Sequence, residues 1–342
     1  MISETDRAST RVNILFTSAG RRVELLQAFR QAYTSLNIEG NIVALDVDPI
    51  APSLQVADIP YIVPRLIEAD YLSTLLSICE REHINLILPL IDPDIVFLAH
   101  HRATIEATGA CLAVVSETVA AITADKWLTT CFFRNLGLST PASWLPTDFN
   151  ATSALYPCFI KPRQGSASQD TFRLDNAREA SFFLDYVPDP LIQEYIAGPE
   201  ITTDVICDVT GQLLGLVSRQ RIAVRAGEVA KGVTVFDPRI ADACVRIVDA
   251  LPATGPITVQ CLLRDGEPCF TEINARLGGG IPLGIAAGVD APRLLLASAA
   301  GLPARAPVLG SYQTGLYLTR FDDSFFIMES AREAMESHRI RP

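Results

Sequence analysis

Short apolar runs alternate with longer amphipathic segments from the start of the chain to about residue 115. The apolar runs predict strands, and the segments with apolar residues three and four positions apart predict helices. Strands that alternate with helices in this way form a parallel sheet with helices on its faces. The predicted strands are Asn13–Thr17, Asn41–Asp46, Tyr61–Val63, Leu86–Leu90 and Cys111–Val115, and the predicted helices are Arg22–Tyr33, Tyr71–Glu82 and Ile95–Ala107.

The pattern changes after about residue 117, where strands separated by proline- and glycine-rich turns replace the regular alternation. A predicted helix over Ala124–Leu136 precedes an apolar strand, Pro157–Ile160, which runs into a loop of polar and small residues from Lys161 to Ser168. Small residues let backbone amides approach phosphate oxygens, and Lys161 adds a point charge. A phosphate-binding loop and an ordinary surface turn are equally compatible with this segment.

A second predicted helix, Asn176–Tyr186, leads into the apolar strand Leu191–Ile196, which Gly198-Pro199-Glu200 closes. The main-chain groups of such a strand can form hydrogen bonds with the edge of an adenine ring, and Glu200 can accept hydrogen bonds from a ribose. Taken alone, however, the segment is typical of an ordinary edge strand. A hairpin, Ile201–Val209 with Gln212–Val217, is predicted next.

Residues 257–274 predict another hairpin, and its register decides which side chains share a face. A two-residue loop, Asp265-Gly266, would place Glu272 on the apolar face with Val259 and Cys261. A three-residue loop starting at Arg264, with Gly266 in the left-handed conformation, separates an apolar face from a polar one. We therefore predict the three-residue loop. The polar face then carries Thr258, Gln260, Phe270, Glu272 and Asn274.

The polar face of this hairpin presents three oxygen-bearing side chains, Gln260, Glu272 and Asn274. Oxygen ligands of this kind suit Mg²⁺, which binds few carboxylates and completes its shell with phosphates and water. A solvated polar face is the alternative for the hairpin alone. Arg276 and the run Gly278–Gly280 follow directly and supply a cation and a backbone that allows close approach, which favours the metal site.

Composition restricts the class of protein. The chain has 342 residues, 49% of them hydrophobic, and a net charge of −11, which disfavours a nucleic-acid or membrane partner. No apolar run is long enough to span a membrane, and the polar first ten residues lack the features of a secretion signal, so we expect a cytoplasmic protein. The eight cysteines are scattered singly, which predicts reduced, buried thiols.

Lysine is rare in this chain: 25 of the 28 basic residues are arginine, and only Lys126, Lys161 and Lys231 are lysine. Lysine supplies a compact, flexible ammonium that arginine does not replace. Lys231 lies in a basic stretch, residues 219–232, in which Arg219, Arg221 and Arg225 are spaced like residues on one strand face. This stretch predicts either a loop that closes on an anion or a solvated charged hairpin.

The order of these motifs resembles the ATP-grasp superfamily, and within it the single-unit relatives of the carbamoyl-phosphate synthetase large subunit. The N-terminal α/β region also resembles the domain that precedes the grasp module in such proteins, so the resemblance covers most of the chain. The motifs that carry it are Asp125-Lys126, Ile160-Lys161-Pro162-Arg163 with Gly165-Ser166, Gln193-Glu194-Tyr195-Ile196, Gly198-Pro199-Glu200, Gln260 and Glu272-Ile273-Asn274-Ala275-Arg276.

The resemblance implies an α/β fold, with a Rossmann-like parallel-sheet domain (1–117), a two-subdomain ATP-grasp fold (118–302, with a lid-like part at about 140–195) and a C-terminal strand and helical tail (303–342). It also implies ATP and one or two Mg²⁺ ions, with Mn²⁺ as the alternative ion. The nucleotide-binding residues it implies are Lys126, Lys161, Ser166, Gln193, Glu194, Tyr195, Ile196 and Glu200, the metal ligands are Gln260, Glu272 and Asn274, and the catalytic residue is Arg276. The basic stretch 219–232 adds Arg221 and Lys231 as catalytic candidates.

The function implied by the resemblance is that of a carboxylate-amine ligase, which makes an amide or peptide bond through an acyl phosphate. Its partners would be a small-molecule carboxylate and an amine, and pairing as a homodimer through the N-terminal region is common in such folds. A phosphotransferase acting on a hydroxyl or on bicarbonate, and a non-catalytic ATP-binding regulatory module, are the alternatives. The sequence does not identify the substrates.

Overall fold

The computed structural model describes residues 11–165, 169–225, 227–304 and 308–337. Its first part is a five-stranded parallel sheet with the strand order β3-β2-β1-β4-β5. The elements of this part are β1 (Ile14–Thr17), α1 (Val23–Leu36), β2 (Ile42–Asp46), β3 (Ile59–Ile62), α2 (Tyr71–Arg81), β4 (Leu86–Pro89), α3 (Asp92–His100), α4 (Arg102–Glu106) and β5 (Cys111–Leu112).

The strands of this sheet are buried on both faces, as expected for a parallel sheet between helices. All four residues of β1 are buried, and Phe16 packs edge-on against Phe29 of α1 with ring centroids 5.0 Å apart. Strands β1 and β4 are neighbours in the sheet. The segments that follow them, Ser18–Arg22 and Leu90–Asp92, therefore leave the same edge of the sheet side by side.

Two helix predictions need correction. The segment Ile95–Ala107 is two helices, α3 and α4, because the helical ladder is interrupted at His101, and Pro93 in the first turn lets α3 begin earlier than predicted. The helix predicted over Ala124–Leu136 is preceded by a separate helix. The two are α5 (Glu117–Ala124) and α6 (Lys126–Asn135), separated by Asp125.

A small four-stranded sheet follows, with the strand order β6-β9-β7-β8. Its elements are β6 (Ser143–Trp144), β7 (Cys158–Pro162), β8 (Phe172–Leu174), α7 (Ala177–Tyr186) and β9 (Pro190–Glu194). It has its own apolar cluster, in which Ile160, Leu174 and Ile192 are fully buried. The two predicted apolar strands correspond to β7 and β9, although β7 continues to Pro162 and β9 already ends at Glu194.

The third sheet has six strands in the order β14-β13-β10-β11-β12-β15. Helix α10 packs against both α1 and β10, and so joins this sheet to the N-terminal part. The elements of this part of the chain are β10 (Glu200–Cys207), β11 (Leu213–Arg225), β12 (Glu228–Val235), α8 (Pro238–Ala250), β13 (Ile257–Arg264), β14 (Glu267–Asn274), α9 (Ile281–Ala286), α10 (Ala291–Ala299), β15 (Tyr317–Thr319) and α11 (Glu329–Ser337).

The α/β fold class with an N-terminal parallel sheet is confirmed. The eight cysteines are free thiols, as predicted, and six of them are buried. Within the residues that the structure describes, none of the helices combines the length and the apolar character needed to cross a lipid bilayer.

Candidate active site

The turn of the β13–β14 hairpin differs from the sequence prediction. Arg264 pairs with Glu267 across a two-residue loop, in which Asp265 and Gly266 both have positive φ angles (51° and 86°). This is the arrangement of a type I′ turn, which favours Asp-Gly. The predicted three-residue loop is therefore wrong.

The strand ends away from the turn nevertheless have the predicted faces, because the register shifts between Gln260 and Cys261. Thr271 is the extra residue of this bulge. Beyond it Gln260 lies opposite Glu272, and Thr258 lies opposite Asn274. Phe270, predicted on the polar face, lies opposite Cys261 and belongs to the apolar core. Because the bulge adds one residue to β14, the hairpin can have a tight two-residue turn and still place these polar side chains on one face at its far end.

The two motif lysines and the three oxygen-bearing residues of this hairpin line one cavity of about 540 Å³, here called the lysine cavity. Lys126 comes from the first turn of α6 and Lys161 from β7. The Lys126 amine lies 3.8 Å from the Glu272 carboxylate and donates to the Gly165 carbonyl (2.7 Å). The small sheet, α6 and the hairpin thus bring these residues together from three parts of the chain.

Lys161 is only 8% exposed, and its amine forms no ion pair with a carboxylate of the described chain. Burial lowers the pKa of Lys161 to about 8, although the negative charge of Glu272 partly opposes this shift. A buried cation without its own counter-ion favours an anionic ligand in the cavity. The lysine cavity therefore fits the phosphate groups of a nucleotide.

Asp125 fixes the position of Lys126. Its carboxylate caps α6 by accepting hydrogen bonds from the backbone amides of Trp127 and Leu128, and it also pairs with Arg163. The Lys126 amide in turn donates to the Arg163 carbonyl (2.9 Å). These contacts join the helix that carries one lysine to the strand that carries the other.

The segment after β9 forms another wall of the lysine cavity, with Glu194, Tyr195 and Ile196 among its lining residues. The Glu194 carboxylate pairs with Arg264 (2.7 Å), and the Arg173 guanidinium lies over the Tyr195 ring at 4.7 Å. Both side chains are already occupied by contacts with arginines. The backbone of this segment is therefore the part that can form hydrogen bonds with the edge of an adenine ring. Phe159, Pro199 and Leu262 provide apolar surface beside it.

Gln193 and Gly198 shape this wall. The Gln193 side chain is buried and donates to the Ser143 hydroxyl (2.8 Å), which ties β9 to β6. A Cβ atom on Gly198 would lie 1.9 Å from the Leu263 carbonyl oxygen. Only glycine therefore allows the chain to pass this close to β13.

Glu200 lies at the centre of a polar network at the floor of the lysine cavity. One of its carboxylate oxygens accepts hydrogen bonds from Arg221 (2.6 Å) and from the Gln260 amide (3.0 Å). Glu200, Arg221 and Gln260 come from β10, β11 and β13, which are adjacent in the sheet. Sheet register thus places the predicted ribose acceptor beside a predicted metal ligand.

A smaller cavity of about 250 Å³, here called the arginine cavity, adjoins the lysine cavity. It is lined by Arg22, Arg219, Arg221 and Arg276, and the last two of these also line the lysine cavity. Arg276 donates to Asp92, the first residue of α3 in the N-terminal domain (2.8 Å). The N-terminal domain therefore contributes directly to the cleft through Asp92 and Arg22.

The glycine run Gly278–Gly280 forms one side of the arginine cavity. Arg219 and Asp204 form a buried ion pair beneath it. A Cβ atom on Gly280 would lie 2.3 Å from the Arg219 side chain, and one on Gly278 would lie 2.7 Å from Asp204. The glycines are needed because the backbone rests directly on this ion pair.

Three buried polar atoms of the arginine cavity have no hydrogen-bond partner within the described chain: the Thr202 hydroxyl oxygen and the Nε atoms of Arg219 and Arg276. Buried polar groups are normally satisfied, so atoms of this kind indicate a missing ligand or water. All three can donate a hydrogen bond. A carboxylate or phosphate oxygen is the complementary partner.

The sequence missed some residues of the site and placed others differently. Arg22, Asp92 and Glu228 line the arginine cavity without having been predicted there. Arg22 and Asp92 could have been predicted, because both follow the carboxyl ends of neighbouring parallel strands, where ligands commonly bind. Lys231, by contrast, is exposed on β12 and lines neither cavity. Ser166 lies outside the described residues.

The basic stretch 219–232 is mostly the β11–β12 hairpin. Its arginines do not form a free anion clamp: Arg219 pairs with Asp204, Arg221 with Glu200 and Arg225 with Asp322. A register shift between Arg221 and Ala223 also breaks their common face. Of the three, Arg219 and Arg221 line the arginine cavity.

Comparison with protein families matches two parts of the chain. Residues 14–113 match the model of the PylC-like N-terminal domain, and residues 123–280 match that of an ATP-grasp domain. The chain contains an ATP-grasp domain. All of the predicted nucleotide, metal and arginine positions, and Lys231, fall within this ATP-grasp match.

The individual proteins to which this chain is similar are distant. It is 31% identical over 149 residues to a D-alanine–D-alanine ligase of Marinomonas sp. (strain MWYL1), which is 38% of this chain and 46% of that protein. The chain spans less than half the length of the curated D-alanine–D-alanine ligases that it matches.

Two solved structures share the fold. The biotin carboxylase domain dimer of 2-oxoglutarate carboxylase from Hydrogenobacter thermophilus, in complex with MgADP, superposes with a TM-score of 0.71 at 17% identity, covering 89% of this chain and 73% of that chain. An L-amino acid ligase from Bacillus licheniformis superposes with a TM-score of 0.65 at 18% identity, covering 84% and 74%.

Proposed function

We propose that this protein is an ATP-dependent carboxylate-amine ligase that uses Mg²⁺. The observation that carries the proposal is the convergence of Lys126, Lys161 and Glu272 on one cavity, which continues past Arg276 into a second cavity lined by arginines. A nucleotide in the first cavity would direct its terminal phosphate toward an anionic substrate in the second.

In the lysine cavity, Lys126 and Lys161 hold the phosphates, and the backbone of Glu194 and Ile196 receives the adenine edge. Gln193 and Tyr195 support this strand, the first through its bond to Ser143 and the second beneath the Arg173 guanidinium. Glu200 accepts a ribose hydroxyl through the carboxylate oxygen that Arg221 and Gln260 leave free. Ser166, which follows Gly165, is proposed as a further phosphate contact.

Glu272, Asn274 and Gln260 are the residues that would hold Mg²⁺. A carboxylate and two amide oxygens are hard donors of the kind that Mg²⁺ accepts, and the ion neutralises phosphate charge when it is bound. Arg276, oriented by Asp92, and Arg221, oriented by Glu200, flank the junction of the two cavities. There they stabilise the charge that develops on the transferred phosphoryl group.

The arginine cavity is the proposed carboxylate site. The donors on Thr202, Arg219 and Arg276 that lack partners within the described chain can bind a carboxylate beside the transferred phosphoryl group. Transfer yields an acyl phosphate and ADP. An amine then attacks the acyl carbon, the carbon–oxygen bond to phosphate breaks, and an amide and inorganic phosphate result. No protein nucleophile takes part, because positioning and charge stabilisation suffice.

The relatives favour this reaction over the alternatives. The D-alanine–D-alanine ligases with which the chain shares part of its sequence join a carboxylate to an amine, as does the L-amino acid ligase that shares its fold. These names support a substrate pair of amino-acid type for this chain.

A screen for ADP release tests the proposal. The protein would be incubated with ATP and Mg²⁺ against panels of amino acids and other small carboxylates, alone and in pairs with amines. ADP release that requires both a carboxylate and an amine, together with an amide product, is the expected result. A stable phosphorylated product from a single substrate would indicate a phosphotransferase instead.

Two matched variants link this activity to the site. Glu272→Gln removes the one carboxylate among the proposed Mg²⁺ ligands, and we expect ADP release to fall at least about 10³-fold. Glu267→Gln changes an exposed residue at the turn end of the same strand, 73% exposed, and should retain activity. Equal activity of both variants would refute the metal site.

A further inference from the structure

A third cavity, here called the outer chamber, adjoins the arginine cavity on the side away from the lysine cavity. It has a volume of about 1080 Å³ and lies between the start of α1, the end of the β11–β12 hairpin and the segment that leads into α11. It shares Arg22, Glu228 and Gly279 with the arginine cavity. The three cavities therefore follow one another, and Glu228 stands at the second junction.

Glu228 is the one carboxylate that lines both the arginine cavity and the outer chamber in the described part of the chain. Its contacts are loose: the nearest guanidinium nitrogens are those of Arg320 at 3.4 Å and Arg22 at 4.0 Å. Asp92, the other unpredicted acid of the arginine cavity, is bound by Arg276 at 2.8 Å and does not line the outer chamber. Glu228 can therefore accept a new hydrogen-bond donor.

The two cavities beside Glu228 differ in size and in lining. The arginine cavity, at about 250 Å³, is smaller than sites for drug-sized ligands, which occupy about 300–1,000 Å³. The outer chamber exceeds that range and combines apolar surface from Phe321, Phe325 and Ile281 with charged residues of both signs. A small carboxylate fits the first, and a bulkier, partly apolar molecule fits the second.

We propose that the outer chamber binds the amine substrate and that Glu228 holds its ammonium group and accepts its proton. This inference rests on the proposed ligase function. With the nucleotide in the lysine cavity and the carboxylate in the arginine cavity, the outer chamber is the remaining adjoining space. An amine that extends from it reaches the acyl carbon past Glu228.

The proton balance requires such an acceptor. An amine arrives as an ammonium ion, and its nitrogen has no electron pair for attack until one proton leaves. That proton passes to a Glu228 carboxylate oxygen. The nitrogen pair then forms the bond to the acyl carbon, the carbon–oxygen bond breaks with its pair going to phosphate, and the second proton of the nitrogen leaves with the phosphate.

The charged groups around Glu228 define the site and limit what a variant changes. Arg22 faces it from the loop before α1, Arg320 from the segment after β15, and Arg225 is its cross-strand partner. Arg320 also binds Glu24 (2.7 Å) and the Gly279 carbonyl (2.7 Å), so it keeps its position without Glu228. Glu267 lines none of the three cavities, so Glu267→Gln serves as the matched control for the loss of a glutamate charge.

The test uses hydroxylamine, which is uncharged at neutral pH and captures an acyl phosphate as a hydroxamate without needing its proton removed. Wild type, Glu228→Gln, Glu228→Asp and Glu267→Gln would be assayed with Mg-ATP and the amino-acid panel, with either hydroxylamine or the panel amines as acceptor. We expect Glu228→Gln to form hydroxamate within threefold of wild type and to form amide about 10²-fold more slowly. Glu228→Asp restores part of the amide rate, and Glu267→Gln keeps the wild-type ratio of amide to hydroxamate.

The pH profile separates proton transfer from a structural effect. In Glu228→Gln the amide rate should rise about tenfold per pH unit below the pKa of the amine, because only the free amine reacts, whereas the wild-type rate rises less steeply. Proportional loss of amide and hydroxamate, or loss of neither, overturns the role of Glu228. Absence of carboxylate-dependent hydroxamate in the wild type refutes the proposed function itself.

Discussion

The lysine cavity and the arginine cavity lie side by side but hold their cations differently. In the lysine cavity, Lys161 is buried without an ion pair to any carboxylate of the described chain, and burial lowers its pKa. In the arginine cavity, Arg219, Arg221 and Arg276 are each bound by a carboxylate of the protein, namely Asp204, Glu200 and Asp92. One cation therefore lacks its own counter-ion, whereas the others are held in place.

This difference matches the chemistry proposed for each cavity. A phosphate chain that enters and leaves needs a cation that gains its partner only on binding, which a flexible ammonium provides. A reacting carboxylate needs donors whose positions do not change during transfer, which paired guanidinium groups provide. The comparison predicts that removing a cation has opposite effects on stability in the two cavities.

The largest effect is expected at Arg219. Arg219→Met leaves Asp204 buried without its counter-ion, so the free energy of unfolding should fall by about 3–5 kcal/mol. Urea unfolding measures this change. The double variant Arg219→Met with Asp204→Leu should recover most of the loss, and Arg225→Met, which breaks an exposed pair with Asp322, should change stability by less than about 1 kcal/mol. Equal effects at Arg219 and Arg225 would contradict the buried pair.

Lys161→Met should have the opposite sign in the free protein. Removing a buried cation whose pKa is lowered to about 8 should raise the free energy of unfolding by about 1–3 kcal/mol. The same variant loses a charged contact to phosphate, so ADP binding should weaken about 10- to 100-fold. Thermal unfolding and calorimetric titration measure the two effects. A variant that is less stable and binds ADP normally would show that Lys161 is only structural.

Nucleotide binding should take up protons near pH 8. With a pKa of about 8, about half of the Lys161 side chains are neutral at that pH in the free protein, and phosphate binding favours the charged form. We expect the wild type to take up about half a proton more per ADP than Lys161→Met at pH 8, and this difference to be almost zero at pH 6.5, where the amine is already charged. Calorimetry in buffers of different ionisation enthalpy measures this number. Unchanged uptake in Lys161→Met would assign the proton to another group.

The smallest effect is expected at Lys231. Its side chain is exposed on β12 and lines none of the cavities described above, although the basic stretch 219–232 suggested a catalytic role. Lys231→Met should therefore change ADP release by less than about threefold. A loss of tenfold or more would restore Lys231 to the active site and imply movement of the β11–β12 hairpin.

In the β13–β14 hairpin, the sequence predicted the faces of the strand ends away from the turn correctly but not the position of the irregularity. The amphipathic pattern correctly assigned Gln260, Glu272 and Asn274 to one face, because only that arrangement keeps a carboxylate out of the apolar core. It placed the irregularity in the turn, whereas the structure has a regular Asp265-Gly266 turn and a bulge at Thr271. The alternation of apolar and polar residues determines which face of the sheet each side chain lies on. The position of a bulge, however, depends on contacts with neighbouring strands, which this alternation does not describe.

Residues that come together only through the arrangement of domains were not predictable from local motifs. Arg22, Asp92 and Glu228 belong to the N-terminal domain and to β12, and they meet because α10 packs against α1 and β10. The domain boundaries at 117 and 302, the pairing of two chains and the roles of the individual site residues remain predictions.

The most direct test of the account is a crystal structure with a non-hydrolysable ATP analogue and Mn²⁺, which substitutes for Mg²⁺ and can be located by anomalous scattering. We predict Mn²⁺ bound to the Glu272 carboxylate and the Asn274 side-chain oxygen at about 2.0–2.2 Å, with phosphate oxygens contacting the Lys126 and Lys161 amines. A nucleotide in the arginine cavity or the outer chamber, or a metal ion away from Glu272, would contradict it.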